Sequence, residues 1–276
     1  MASSIKNKSP LRYPGGKTRA CKVLNEIVHQ YFDMSNIKNI VSPFFGGGSF
    51  EFNMQHLYGL NIIANDKFKP LYHFWKTSKE SNDELCRQLY LLIDTIEKET
   101  FQEYRNSIMS VENLLEQSVM YFVINRCSFS GATLSGGFSS EASKKRFTKS
   151  SIDRVKKLNL SLFSIDNLDF KEFLDQNTSD ENLIFLDPPY YLEKKSKLYG
   201  NSGDMHEHFN HEKLYTSLST KTNWMLTYNN CDYIKNLYKD YTIIEVNWSY
   251  GMCNVQSKSK EEKAKMKESS EIVIIG

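Results

Sequence analysis

The stretch IKNIVSPFFGGGSFEFNMQHLYGLNIIAND, residues 37–66, decides the fold. Its first apolar run, Ile37–Val41, leads through a turn with three consecutive glycines into a helical segment, Ser49–Leu57. A second apolar run, Leu60–Ala64, ends at the pair Asn65-Asp66. Strand, helix and strand in this order make one βαβ unit of a parallel sheet. The chain is therefore predicted to be an α/β protein.

Further strand-like runs follow after a long helical and basic segment. Residues 67–116 have a helical pattern. Between positions 126 and 157 there are eight Lys or Arg residues and only two acidic residues. The later apolar runs are Leu160–Ile165, Leu183–Leu186, Trp224–Thr227, Thr242–Val246 and Glu271–Ile275. This order predicts one α/β domain made of residues 1–66 and 160–276, interrupted by a helical domain at 67–159.

The composition is that of an ordinary globular protein. Forty per cent of the 276 residues are hydrophobic, 25% are charged, and the net charge is +2, so any surface that binds a polyanion must be local. The five scattered cysteines lack metal-ligand spacing, which argues against a disulfide framework and a zinc site. The first 20 residues have no apolar core and no run reaches 18 apolar residues, so neither secretion nor a membrane span is expected.

The tetrapeptide Asp187-Pro188-Pro189-Tyr190 directly follows the apolar run Leu183–Leu186. Asp187 is therefore expected at the carboxyl end of a parallel strand, where open α/β sheets bind ligands. The Asp187 carboxylate and the Pro188 carbonyl can accept both N–H groups of a planar exocyclic amine, and Tyr190 can stack on its ring. The tetrapeptide is thus the candidate catalytic motif, and the alternative is a strand-ending turn with an N-capping aspartate.

The glycines Gly46, Gly47 and Gly48 allow close backbone approach to a ligand at a helix N-terminus. A dinucleotide-binding loop is a weaker alternative, because position 51 holds Glu51 where that motif needs glycine. Asp66 ends the next strand, where its carboxylate can accept both hydroxyls of a ribose. Plain turns remain the alternative for both segments.

The N-terminal segment Leu11-Arg12-Tyr13-Pro14-Gly15-Gly16-Lys17 contains a glycine–lysine turn. It lacks the first glycine and the preceding strand of a nucleotide-binding phosphate loop. Two hypotheses remain open from the residues alone. Either Tyr13 and Lys17 line the carboxylate end of a ligand pocket, or the segment is a turn that precedes a helix.

Taken in order, LRYPGGK, PFFGGGSFEF, the ND pair and LDPPYY resemble the Dam-like (D12 class) DNA adenine-N6 methyltransferases over nearly the whole chain. The resemblance implies a Rossmann-like fold with a mixed, mostly parallel sheet and an inserted target-recognition domain. It implies S-adenosylmethionine as the cofactor and double-stranded DNA as the partner, with methylation of adenine N6 after base flipping. The cofactor-binding residues that it implies are Tyr13, Lys17, Phe45, Gly46, Gly47, Gly48, Asp66, Asp169, Phe170 and Asp187.

The resemblance also places the stretch from Arg126 to Phe138 beside the recognition region. The residues expected to contact DNA are Arg126, Ser128, Lys144, Lys145, Arg146 and Lys149. Residues 193–211 are expected to form a mobile loop that closes over the flipped base, and residues 257–270 a second mobile loop. Three histidines in or next to the first loop, His206, His208 and His211, are compatible with a metal, but methyl transfer needs none.

Two other kinds of function remain compatible with these motifs. One is an amino-methyltransferase that acts on cytosine N4 or on RNA adenine, and the other is an inactive DNA-binding module. The protein is expected inside a bacterial, phage-infected or virus-infected cell, as a monomer or a weak dimer.

Overall fold

The computed structural model describes residues 5–13, 15–191, 209–247 and 271–276, with Ser130 described for its backbone alone. Seven strands form one sheet: β1 (Asn39–Ser42), β2 (Asn61–Asn65), β3 (Phe163–Asp166), β4 (Asn182–Leu186), β5 (Trp224–Asn229), β6 (Thr242–Val246) and β7 (Glu271–Ile275). The described ranges contain eleven α-helices: α1 (Cys21–Tyr31), α2 (Ser49–Tyr58), α3 (Lys69–Glu80), α4 (Asn82–Leu91), α5 (Lys98–Ser107), α6 (Leu114–Cys127), α7 (Ser140–Arg146), α8 (Lys149–Lys156), α9 (Phe170–Gln176), α10 (His211–Leu218) and α11 (Asp232–Leu237).

The sheet is mixed and mostly parallel, as predicted. Its strand order is β3-β2-β1-β4-β5-β7-β6, and β7 alone runs against the others. The sheet grows outward from β1 on one side and from β4 on the other, so the topology switches between these two neighbours. Ligands of open α/β sheets bind at the carboxyl ends of the strands at such a point. Here those ends lead into the glycine segment and into Asp187.

The central strands are buried on both faces. In β4, Leu183 and Phe185 belong to the core on one side of the sheet, whereas Ile184 and Leu186 belong to the core on the other side. Successive side chains of a strand point to opposite faces, so burial on both faces requires a continuous apolar run. This is why the sequence before Asp187 is apolar without interruption.

Helices α3 to α8 lie between β2 and β3 along the chain. Most of α6 is buried on all sides and its middle, Val119–Ile124, is apolar, as expected for a helix at the centre of a group of helices. Helix α3 also packs on the sheet domain, because Trp75 contacts Phe163 of β3 and Lys79 Nζ donates to the Phe163 carbonyl at 2.6 Å. In the described ranges, no helix has the length and apolarity needed to cross a bilayer.

The predicted βαβ unit and later strands are confirmed, with ends shifted by up to three residues. The helix expected after the N-terminal turn is also present, as α1. The loop expected at 257–270 lies outside the described residues, as does the loop at 193–211 up to residue 208. His206 and His208 fall in that part, whereas His211 begins α10.

Candidate active site

The glycine segment after β1 takes a backbone path that side chains rarely tolerate. Gly46 and Gly48 have φ values of +51° and +65°, in the left-handed region that favours glycine. A Cβ built on Gly48 would lie 2.3 Å from Phe45 Cζ. The loop therefore depends on glycine at position 48, both for its backbone angle and for space.

Phe45 is one of the residues predicted to contact the cofactor, and this stays a prediction. The ring is only 2% exposed and packs edge-on against Phe52 and Trp75, with centroids 5.8 and 5.2 Å away. Its side chain thus belongs to the hydrophobic core beneath the loop. Phe45 supports Gly48 from inside, so only its backbone lies along the ligand-binding edge.

Asp66 shapes the glycine loop through two backbone hydrogen bonds. Its Oδ2 accepts from the Gly46 N–H and its Oδ1 from the Phe68 N–H, both at 2.9 Å. Burial raises the pKa of Asp66 to about 6. Trp75 Nε1 donates to the Gly46 carbonyl at 2.9 Å. The N–H and the carbonyl of Gly46 are therefore both hydrogen-bonded, which fixes the loop at this residue. A carboxylate has about four acceptor positions, so Asp66 retains capacity for ligand hydroxyls.

Tyr13 lies directly against the glycine loop. A Cβ on Gly46 would come within 2.8 Å of Tyr13 Cε1, and one on Gly47 within 3.1 Å of Tyr13 Cβ. The N-terminal segment therefore packs on the loop that follows β1. This places Tyr13 beside Gly46 and Gly47, in the neighbourhood that the sequence predicted for it.

Lys17 and Asp187 form an ion pair between a buried ammonium group and a partly exposed carboxylate at the centre of the site. Lys17 Nζ donates to Asp187 Oδ1 at 2.7 Å, to Oδ2 at 2.8 Å, and to the Gly15 carbonyl at 3.1 Å. The Lys17 side chain is 3% exposed and that of Asp187 is 23% exposed. Thr227 of β5 adds a hydroxyl that donates to Asp187 Oδ1 at 2.8 Å. The Asp187 carboxylate therefore has a fixed orientation.

Thr227 was not singled out from the sequence. It lies beside Asp187 because β4 and β5 are parallel neighbours with Leu186 opposite Leu226. The residue that follows each partner is then adjacent at the carboxyl edge of the sheet. Knowledge of the strand order would have identified it.

Tyr190 has its ring and its hydroxyl fixed by different neighbours. Lys17 Nζ lies 5.2 Å from the ring centroid, within the range of a cation–π contact, and the Tyr228 ring lies beside it at 5.9 Å. The hydroxyl donates to Oε2 of Glu271 at 2.6 Å. Tyr190 is half-buried, so part of the ring remains accessible.

Asp169 and Phe170 lie at the start of α9, near the end of β3. Asp169 caps the helix by accepting from the Lys171 N–H at 3.1 Å and pairs with Lys213 at 2.8 Å. Phe170 packs with Phe44 and Phe209 at centroid distances of 5.6 and 5.4 Å. Phe44 directly precedes the buried Phe45. The rings of Phe44, Phe170 and Phe209 therefore connect the glycine segment with the start of α9, where Asp169 lies.

A buried carboxyl group that the sequence did not predict lies below the ion pair. Glu51, in the first turn of α2, is 2% exposed and accepts a hydrogen bond from the Ser42 hydroxyl at 2.6 Å. Burial, with a smaller contribution from Asp187, raises the pKa of Glu51 to about 7. Glu51 was noticed in the sequence only as the residue that breaks a dinucleotide-binding pattern.

The residues expected to contact DNA divide into two groups. Four side chains are exposed and close together on α7 and the start of α8: Lys144, Lys145, Arg146 and Lys149. Arg126 and Ser128 are buried, with exposures of 4% and 0%. For these two, direct DNA contact stays a prediction, and in the protein without DNA the surrounding residues cover them.

Arg126 instead ties three segments together. Its Nε donates to the Arg146 carbonyl at 2.8 Å, and its Nη1 donates to the Pro10 carbonyl at 3.2 Å. Its neighbour Asn125 binds both backbone groups of Arg12, accepting at 2.9 Å and donating at 2.7 Å. The N-terminal segment is thereby fixed to the end of α6 and to the basic helix α7.

Phe129, which follows the end of α6, is an exposed aromatic side chain. Its exposure is 69%, and it follows Ser128, whose carbonyl accepts a hydrogen bond from Arg12 Nη1 at 3.1 Å. The backbone here is fixed, since the Phe129 N–H donates to the Gly137 carbonyl at 2.9 Å. Phe129 is therefore a large apolar ring that is exposed on a loop with a fixed backbone.

Comparison with known proteins agrees with this arrangement. The family model of the D12 class N6 adenine-specific DNA methyltransferases matches residues 13–252. Among curated proteins, the chain is similar to the Type II methyltransferase M.MjaIII of Methanocaldococcus jannaschii, with 25% identity over 86% of this chain and 89% of that protein. The family match covers most of the chain, including the glycine loop, Asp66 and the Asp187 motif. The chain therefore belongs to the D12 class of N6 adenine-specific DNA methyltransferases.

Proposed function

We propose that the protein transfers a methyl group from S-adenosylmethionine to N6 of an adenine that has been flipped out of duplex DNA. The observation that carries this proposal is the fixed Asp187 carboxylate beside the glycine loop, at the switch point of the sheet. A flipped base that enters at this edge would place its amine against Asp187 and its ring against Tyr190.

The residues around the glycine loop fit S-adenosylmethionine. Gly46 and Gly48 allow the close backbone approach that a nucleoside requires, and Asp66 retains acceptor positions for ribose hydroxyls. Lys17 Nζ already donates to both Asp187 oxygens and to the Gly15 carbonyl, so a ligand carboxylate would take the place of one of these contacts, and Tyr13 covers the loop next to it. Phe170 and Asp169 supply an apolar ring and a carboxylate for an adenine. When bound, the cofactor supplies an electrophilic methyl group.

The acceptor positions of Asp187 favour a primary amine as the second ligand. Lys17 and Thr227 occupy three of the about four acceptor positions of this carboxylate, which leaves one on Oδ2. That oxygen can accept one N–H of adenine N6, while the Pro188 carbonyl accepts the other. Both hydrogen bonds favour the tetrahedral nitrogen that forms during attack, so the protein acts by positioning and electrostatics.

The exposed basic residues of α7 and the start of α8 form the DNA-binding surface in this proposal. Lys144, Lys145, Arg146 and Lys149 can bind phosphates, which position the duplex without reading its sequence. Flipping a base costs a few kcal/mol, and stacking on Tyr190 returns about 1–3 kcal/mol of it. The exposed Phe129 ring is proposed to insert into the base stack at the position that the flipped base has left.

Target recognition is assigned to residues 67–159, and the catalytic domain to residues 1–66 and 160–276. Helix α3 packs on the sheet domain through Trp75, so within that segment the recognition surface is proposed for the helices beyond α3. The exposed basic side chains of α7 and α8 and the exposed Phe129 support this assignment.

The test begins with the cofactor and continues with the substrate. Calorimetry measures S-adenosylmethionine binding, and tritium transfer from the labelled cofactor is then measured on duplex DNA that lacks adenine methylation. RNA and DNA with cytosine as the sole exocyclic amine donor are run in parallel. Transfer to duplex DNA with N6-methyladenine as the product is expected, and Asp187→Ala should abolish it. Absence of transfer to any DNA would overturn the proposal, and sequencing of methylated DNA would identify the recognition sequence.

A further inference from the structure

Glu271 is a buried carboxylate that is hydrogen-bonded to the catalytic motif from a distant part of the chain. It is the first residue of β7, 81 residues after Tyr190, and only 2% of its surface is exposed. Its Oε2 accepts the hydrogen bond from the Tyr190 hydroxyl at 2.6 Å. Burial of a carboxylate is costly unless polar groups bind it. A residue with a purely structural role at this end of β7 would not need a carboxyl group.

We propose that Glu271 is a positioning residue that fixes the ring plane of Tyr190 for stacking on the flipped adenine, an inference that rests on the proposed function. The β7 backbone gives Glu271 a rigid base, since it pairs with Asn229 of β5 and Val246 of β6. The hydrogen bond crosses from this strand to the turn after β4. Tyr190 thereby gains a fixed attachment at its far end.

Three contacts then define the orientation of the Tyr190 ring. Lys17 lies 5.2 Å from its centroid, Tyr228 packs beside it at 5.9 Å, and Glu271 binds its hydroxyl. Because Lys17 also binds Asp187, the ring and the carboxylate share one neighbour. The geometry of the base platform relative to Asp187 is therefore set before DNA arrives. Preorganisation of this kind avoids loss of rate through misplacement of the reacting nitrogen.

The experiment compares acceptor and non-acceptor replacements. Glu271→Gln retains an oxygen that can accept from Tyr190, whereas Glu271→Met keeps a similar volume without an acceptor. Single-turnover tritium transfer to unmethylated genomic DNA, KM for DNA and calorimetric S-adenosylmethionine affinity are measured for both variants, for Tyr190→Phe, and for the double variants. We expect Tyr190→Phe and Glu271→Met each to lower the rate about tenfold, with Glu271→Gln between them and the parent.

The double variants distinguish positioning from general stabilisation. In Tyr190→Phe the hydroxyl that Glu271 binds is absent, so Glu271 can no longer act on the ring. Tyr190→Phe/Glu271→Met should therefore be no slower than the slower of the two single variants. The affinity for S-adenosylmethionine should stay within twofold of the parent. Single losses that multiply to about a hundredfold, or a Glu271→Met variant with the parental rate, would overturn the inference. If Glu271→Met does not fold, Glu271→Gln replaces it, and an equal loss with and without the Tyr190 hydroxyl is then the overturning result. Failure of the proposed function differs, because the parent protein itself would then transfer nothing to DNA.

Discussion

The ion pair between Lys17 and Asp187 allows a quantitative prediction from a double-mutant cycle. Its 2.7 Å separation corresponds to about 6 kcal/mol at an effective dielectric constant of 20. Water screens part of this energy because Asp187 is 23% exposed. Removal of one partner leaves a largely buried charge without its counter-ion, so Lys17→Met and Asp187→Asn should each destabilise the fold by about 3 kcal/mol, the lower end for buried pairs.

The double variant is expected to be more stable than the two losses imply. Lys17→Met/Asp187→Asn leaves two neutral side chains and should cost about 2 kcal/mol, an interaction energy of about 4 kcal/mol. Urea unfolding of the cofactor-free protein, followed by circular dichroism, measures the four free energies. The exposed pair Lys38–Glu181 is the matched control, for which Lys38→Met and Glu181→Gln should couple by less than about 1 kcal/mol. A double variant at Lys17 and Asp187 that loses the full sum would refute the reasoning.

Three further predictions use buried and exposed groups of the same site. Because the pKa of Glu51 is raised to about 7, the native state binds more protons than the unfolded chain between about pH 4.5 and pH 7, and stability falls as the pH rises through this window. Glu51→Gln, which keeps an acceptor for Ser42, should therefore gain about 2–3 kcal/mol at pH 8 and almost nothing at pH 4.5, in denaturant titrations at the two pH values. Gly48→Ala should destabilise the fold by about 3 kcal/mol, because the position has a positive φ and a Cβ there clashes with Phe45. The control Gly59→Ala should cost about 1 kcal/mol, because Gly59 has a φ of +73° but open space around its Cβ position. Similar shifts in the melting temperatures of the two variants would contradict this. Phe129→Ala should lower methyl transfer to duplex DNA about tenfold and leave cofactor affinity unchanged, while the control Leu57→Ala, at an exposed position near the end of α2, should leave both unchanged.

Local patterns in the sequence were sufficient to predict the sheet and the positions of its ligand-binding ends. The apolar run before Asp187 is continuous because β4 is buried on both faces, and such a run followed by Asp-Pro-Pro-Tyr is visible without any alignment. The glycine loop is visible for a similar reason, since its backbone angles require the residue type. Both features depend on neighbours in the sequence.

Contacts between distant segments were not predictable in the same way. Lys17 and Asp187 are 170 residues apart, and nothing in either segment identifies the other as its partner. Phe45 shows the same limit, because its position beside the glycines did not reveal that its ring points into the core. Arg126 follows an apolar run that forms the buried centre of α6, and that context indicated burial more strongly than the basic composition indicated DNA contact.

The N-terminal segment between Arg12 and Lys17 joins the two halves of the reaction. Asn125 binds both backbone groups of Arg12 at the recognition side, and five residues later Lys17 binds Asp187. A displacement of α6 by bound DNA would therefore reach the carboxylate through the contacts of Arg12 and Lys17. By thermodynamic linkage, the affinities for DNA and for the methyl donor should then depend on each other to the same extent in both directions. The enzyme would sense its second substrate through the first few residues of its own chain.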